Sequence, residues 1–129
     1  MVTRYTFLSS DFNGVDITGC GQVRIGDNFH SGNECHIMTS IHSYNDGEAI
    51  PYDSTSLHKK VEAGDDVWLG NRVIVLGGVC IGGGSIIQVG SVVVSNIPVY
   101  SIVGGHPARV FSQRNIDHYN KLKSLKKFN

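Results

Sequence analysis

Residues 64–110 read GDDVWLGNRVIVLGGVCIGGGSIIQVGSVVVSNIPVYSIVGGHPARV. Stepping by six from Leu69 gives Val75, Ile81, Ile87 and Val93, all aliphatic. A companion column two residues earlier runs Val67, Val73, Val79, Ser85, Ser91 and shrinks toward small side chains. Apolar residues two apart point the same way on a short extended piece. A period of six then requires a turn after each piece, and glycine follows the first column at Gly64, Gly70 and Gly82. Strands of a β-sandwich recur at about 8–12 residues and keep no six-residue phase. Hexads that turn after each short strand build three-faced coils, which stack into a β-solenoid with aliphatic side chains inside.

The same period is present upstream. Ile17, Val23, Phe29, Cys35 and Ile41 form one column, and Ile25, Ser31 and Ile37 the other. Steps of six from Ile25 miss Ala63 by two residues, so the intervening segment carries an insertion that slips the register. The excursion is expected at about 43–62. The organisation is then a solenoid over residues 1–111 and a tail over 112–129. In the tail, SQRNIDHYNKLKSLKKF (112–128) reads as a helix, with late lysines suited to a helix C-terminus.

Composition narrows the function. The 129 residues include sixteen glycines, where an average chain of this length has about nine. Eleven Lys and Arg balance eleven Asp and Glu, which argues against a general nucleic-acid binder. There is no apolar run of the roughly 18 residues a membrane span needs. The first residues, MVTRYTFLSSDFNG, lack a signal-peptide core, so a cytoplasmic location is expected. Three cysteines, Cys20, Cys35 and Cys80, suit free thiols.

The ordered string Asp66-Val67-Trp68-Leu69-Gly70, Gly78-Val79-Cys80-Ile81-Gly82, Gly90-Ser91-Val92-Val93 and Ile97 to Val110 resembles the hexapeptide-repeat acyltransferases. The branch holding galactoside, maltose and polysaccharide O-acetyltransferases is the most similar. The resemblance covers about residues 11–114. It implies a left-handed parallel β-helix and a homotrimer. It also implies acetyl-CoA bound in the groove between neighbouring prisms, and one histidine acting as general base. His42, in Ile37-Met38-Thr39-Ser40-Ile41-His42-Ser43-Tyr44-Asn45-Asp46, matches the position of that histidine. An imidazole titrating near neutrality can take a sugar hydroxyl's proton and return it to the leaving thiolate.

The same correspondence puts Asn71, Val89, Gly90, Val94, Ser95 and Arg109 along the CoA groove. Arg109 and Arg114 carry guanidinium groups suited to phosphate. The chain departs from the family at Val94-Ser95-Asn96, where relatives have Thr-Lys-Asp. The excursion is rich in sugar-binding chemistry, with Tyr44, Asp46 and Tyr52 as acceptor candidates. Asp11 and Asn13 resemble a segment where relatives hold the acceptor. His58 lies in the same excursion and is a further candidate for binding the acceptor. No two of the six histidines are five residues apart, the spacing of the zinc-binding carbonic anhydrases that share this solenoid, so no metal is expected. The expected activity is acetyl transfer from acetyl-CoA to a sugar hydroxyl, with surface-polysaccharide synthesis as the expected setting. The alternatives are N-acetylation of a nucleotide-linked amino sugar and a non-catalytic assembly module. Trp68 lies between the inward positions Val67 and Leu69 and is expected to face outward.

Overall fold

The computed structural model describes residues 11, 12 and 14–129. The chain winds through three successive faces. The first coil contains β1 (Asp11–Phe12), β2 (Val15–Thr18) and β3 (Val23–Ile25). The second contains β4 (His30–Ser31) and β5 (Cys35–Met38), leaves through a hairpin of β6 (Ser40–His42) and β7 (Ser56–His58), and returns at β8 (Val61–Ala63). β9 (Trp68–Leu69), β10 (Ile74–Leu76) and β11 (Cys80–Ile81) make the third coil. β12 (Ile86–Ile87) and β13 (Val92–Val93) begin the fourth, which closes where Ile97 bridges Ile81. β14 (Ser101–Gly105) adds a last parallel strand to the first face, and β15 (Ala108–Gln113) pairs antiparallel with it. The first face is β1-β4-β9-β12-β14-β15, the second β2-β5-β10-β13 and the third β3-β8-β11.

The columns read from the sequence are the stacked rows of the core. Leu69, Val75, Ile81, Ile87 and Val93 are buried, as are Val67, Val73, Val79, Ser85 and Ser91. On the first face Ser31, Leu69, Ile87 and Val103 lie in register. The slip in the sequence has a simple meaning: Ala63 stacks directly on Ile25, and the inserted residues are pushed outside the coil. The excursion begins earlier and ends earlier than 43–62. Its arms are Ser40–His42 and Ser56–His58, and Val61 is already back in the coil against Val23. Ile41 therefore does not extend the buried column and is 53% exposed. Thr39 closes the coil instead, its hydroxyl donating to the Thr18 carbonyl and accepting from the Gly21 amide.

Glycine supplies the expected left-handed turns at Gly78, Gly84 and Gly90, but not after the first column. Several left-handed turn positions are filled by Asn28, Asp66 and Tyr100 at one corner and by Glu34 and Arg72 at another. Gly64 and Gly70 have no positive φ. A Cβ at Gly64 would meet the Gly83 amide nitrogen at 2.7 Å, and one at Gly70 would meet that of Val89 at 2.7 Å. These glycines let one coil approach the backbone of the next.

The tail divides differently from the expected 112–128 helix. β15 runs to Gln113, so α1 is confined to Ile116–Ser124. Asn115 caps it by accepting the His118 amide at 2.9 Å. The helix is held to the solenoid by a polar anchor. Tyr119 donates to the Asp66 carboxylate, and Lys123 pairs with it at 2.8 Å. Burial pushes the Asp66 carboxyl up, but hydrogen bonds from Lys123, Tyr119 and Asn28 outweigh this and hold it below the ordinary range. Burial, reinforced by Asp66, pushes the Tyr119 hydroxyl up to about 12.

Leu69 is 1% exposed and sits mid-stack. Leu69→Ala should lower unfolding stability by about 2–5 kcal/mol. Ile41→Ala, on the exposed hairpin, should change it by less than about 0.5 kcal/mol. Denaturant titrations of both variants check this.

Candidate active site

The hairpin places the candidate base. Antiparallel pairing sets Ser40 opposite His58, Ile41 opposite Leu57 and His42 opposite Ser56. Directly opposed residues share a face, and so do residues two apart. Ser40, His42, Ser56 and His58 therefore occupy one face of the ribbon, and Ile41 and Leu57 the other. His42 is exposed. Its imidazole stacks on Tyr52, with ring centroids 3.8 Å apart and planes 7° from parallel.

The loop between the arms is tied by Asp53. Its carboxylate accepts the Glu48 amide at 2.8 Å, the Thr55 amide at 2.8 Å and the Thr55 hydroxyl. The Thr55 hydroxyl, then the Glu48 and Thr55 amides, hold the Asp53 carboxyl below its ordinary value. The buried Ser43 donates its amide to the Thr55 carbonyl at 3.3 Å. Tyr52 is thereby carried back over His42, while Tyr44 and Asp46 stand exposed on the same loop. The Asp11 side chain and Asn13 lie outside the described residues.

At the hairpin's base, Ser40 Oγ accepts the Cys20 amide at 3.0 Å and lies 2.5 Å from His58 Nδ1. Sequence reasoning placed His58 in the excursion without pairing it with Ser40. The alternation Ser40-Ile41-His42 was the available signal; its partner strand is visible only once the ribbon is formed.

The expected CoA residues fall at different corners of the prism. Asn71, Val89 and Gly90 lie on turns from the first face to the second, and Val94 and Ser95 on the turn from the second to the third. The second face lies between them, and its outward side chains include Met38, Ile74, Leu76 and Val92. Val89 is 69% exposed, and the space where a Gly90 Cβ would project is open. The Asn71 side chain serves the stack, accepting the Asn33 amide at 2.9 Å. Arg109 is exposed on β15, with one guanidinium nitrogen 3.2 Å from the Ala108 carbonyl. Arg114 is placed apart from these residues. It donates to the Gly84 carbonyl and lies over the Tyr119 ring, 5.5 Å from its centroid. There it borders a cavity of about 530 Å³ between the tail and the first face, together with His30, Trp68, Tyr119 and Phe128. Trp68 does face outward, in register with His30 and Ile86. Among the described residues, no group of three or more His, Cys, Asp or Glu is placed to hold a metal ion. No described helix is long and apolar enough to cross a membrane.

No protein-family model matches the chain. It is 34% identical over 94 residues to a probable acetyltransferase of Mycobacterium tuberculosis, covering 73% of this chain and 31% of that protein. The chain thus spans about a third of that curated relative. A hexapeptide-repeat acetyltransferase of Vibrio cholerae superposes with a TM-score of 0.71 at 29% identity, covering 83% of this chain and 62% of that one. The fold of AntD, an N-acyltransferase from Bacillus cereus solved with dTDP and 3-hydroxybutyryl-CoA, is also similar. Its TM-score is 0.73 at 20% identity, with 96% of this chain and 72% of that one covered. In sequence and fold, this chain resembles the hexapeptide-repeat acyltransferases.

The Asp53 knot makes the loop pH-sensitive. A carboxyl held below its ordinary value contributes order that is present above pH 3.8 and is lost as pH falls through the lower value of the folded loop. Amide NMR signals of Glu48 and Thr55 should stay constant from neutral pH down to about 4 and move only below it. Asp53→Ala should abolish their protection from exchange at every pH.

Proposed function

We propose that the chain is an acetyl-CoA-dependent O-acetyltransferase acting on a sugar hydroxyl, with His42 as general base. The observation that carries this reading is an exposed imidazole held on a ribbon outside the coil and stacked on Tyr52. Sequence shared with acetyltransferases supports the reaction class. His42 takes the proton of the attacking hydroxyl as its oxygen bonds to the thioester carbon. The tetrahedral intermediate collapses, the carbon–sulfur bond breaks, and the imidazolium returns the proton to the thiolate. The products are the acetyl ester and free CoA.

The assembly belongs to the same proposal. The coil is left-handed, and three copies pack side by side. Such packing would cover Met38, Leu76 and Val92 on one face and Trp68 and Ile86 on another, which a lone prism leaves at least partly in water. Acetyl-CoA would lie between prisms, along turns carrying Val89, Gly90, Val94 and Ser95. Arg109 is the better placed of the two arginines for its phosphates, since Arg114 is engaged at the tail. A cytoplasmic place in surface-polysaccharide synthesis is part of this reading. The fold likeness to AntD favours one further reading, N-acylation of a nucleotide-linked amino sugar.

His42→Ala should lower kcat for CoA release with sugar acceptors by about 10²–10⁴-fold, the usual contribution of a general base. Light scattering should show an unchanged particle mass. Undiminished turnover would remove His42 from the mechanism. Turnover with amino sugars but not with hydroxyl acceptors would select the N-acyl reading, and failure to bind acetyl-CoA by calorimetry would leave an assembly module.

A further inference from the structure

The hydrogen-bonding polarity at the hairpin's base carries an inference about His58, and it rests on the proposed reaction at His42. Ser40 Oγ receives the Cys20 amide proton, so its own proton is free to point elsewhere. Its other partner is His58 Nδ1, at 2.5 Å, where the ring's tautomer decides which of the two donates. With Ser40 donating there, the neutral His58 ring carries its proton on Nε2. The second ring nitrogen's role is thus set by what the first one bonds. His58 is exposed, so Nε2–H is available as a donor.

His58 shares the ribbon face with His42 as its diagonal neighbour across the strands, with Ser40 and Ser56 as the direct partners. Diagonal neighbours in a sheet lie about 7–8 Å apart, within joint reach of one small ligand. The two imidazoles have opposite duties: the base must accept a proton, while His58 presents one. We propose that His58 is an acceptor-positioning residue. It donates Nε2–H to an oxygen adjacent to the hydroxyl that His42 deprotonates, so the site favours acceptors with a second oxygen next to the nucleophile. Ser40 acts through His58 by holding its tautomer. A Ser–His pair at this distance also has the geometry of an activated nucleophile, and the same experiment separates that role.

Steady-state CoA release is measured with a vicinal-diol sugar and with its deoxy analogue lacking the neighbouring hydroxyl, for the wild type, His58→Ala, His58→Gln and Ser40→Ala. His58→Ala should raise KM for the diol about tenfold or more, with a smaller change in kcat and none in KM for acetyl-CoA. The deoxy analogue should be nearly insensitive to the change. His58→Gln, whose amide can still donate, should recover most of the loss, and Ser40→Ala should give an intermediate effect. Equal effects on diol and deoxy acceptors, or no effect on either, would overturn the proposal. Complete loss of turnover in Ser40→Ala, together with an acetyl group found on Ser40 of the wild type by mass spectrometry, would replace it with a covalent mechanism. Long-range nitrogen–proton NMR of wild-type His58 reads the tautomer without turnover. Protonation at Nε2 that becomes mixed in Ser40→Ala supports the inference, and protonation at Nδ1 overturns it. Failure of all variants and the wild type to acylate any hydroxyl would instead defeat the reaction assigned to His42, leaving the tautomer result to decide His58.

Discussion

Coil-on-coil backbone contact is the constraint on which the other features depend. Parallel strands a few residues long have little stability as isolated pairs. Here the inner strands pair with the coil above and the coil below, and their inward side chains fill a shared column. Close stacking leaves no room for a Cβ where one coil's turn crosses the next, as at Gly64 and Gly70. The same stacking aligns turn side chains into short ladders. Asn71 accepts the Asn33 amide, Asp65 accepts the Asp27 amide, and Arg72 pairs with Glu34. The last of these pairs is largely solvated and contributes little energy, but it lies in the same register as the core.

A rod of this kind has few places to put chemistry. Its interior is filled by aliphatic side chains and its turns are short. The second coil interrupts itself: the chain exits after Thr39, forms a two-stranded ribbon and returns at Val61 on the neighbour it would have met without the interruption. The ribbon can vary without disturbing the core because both ends are fixed by coil contacts. Its two faces differ in character. One carries two histidines and two serines, and the other exposes Ile41 and Leu57. The loop beyond is organised by a single carboxylate, Asp53, which satisfies three donors at once and leaves Tyr52 stacked on His42.

The far end uses a different solution. β15 folds back on β14 and pairs along it, so the first face ends in an antiparallel strand. The helix that follows has no buried residue, and its attachment depends on Asp66, Tyr119 and Lys123 rather than on an apolar stripe. This arrangement occupies Arg114, which is why a guanidinium that suits phosphate by chemistry is committed to the tail by position.

The sequence by itself determined the solenoid, because a six-residue period is written in every column from Leu69 to Val93 and each buried side chain enforces it locally. It also placed the interruption, through the two-residue slip between Ile25 and Ala63, with His42 near its start. The exit point was not legible, since Ile41 is as apolar as the residues that stay inside, and only strand pairing shows that it has left the coil. The glycines at Gly64 and Gly70 were misread for a similar reason: a turn and a close approach call for the same residue, and the distance to the next coil exists only in three dimensions. The Ser40–His58 contact, the Tyr52 stack and the diversion of Arg114 were likewise decided by tertiary structure. Each joins residues whose proximity depends on register across strands or packing between the rod and its tail, which a one-dimensional pattern does not contain.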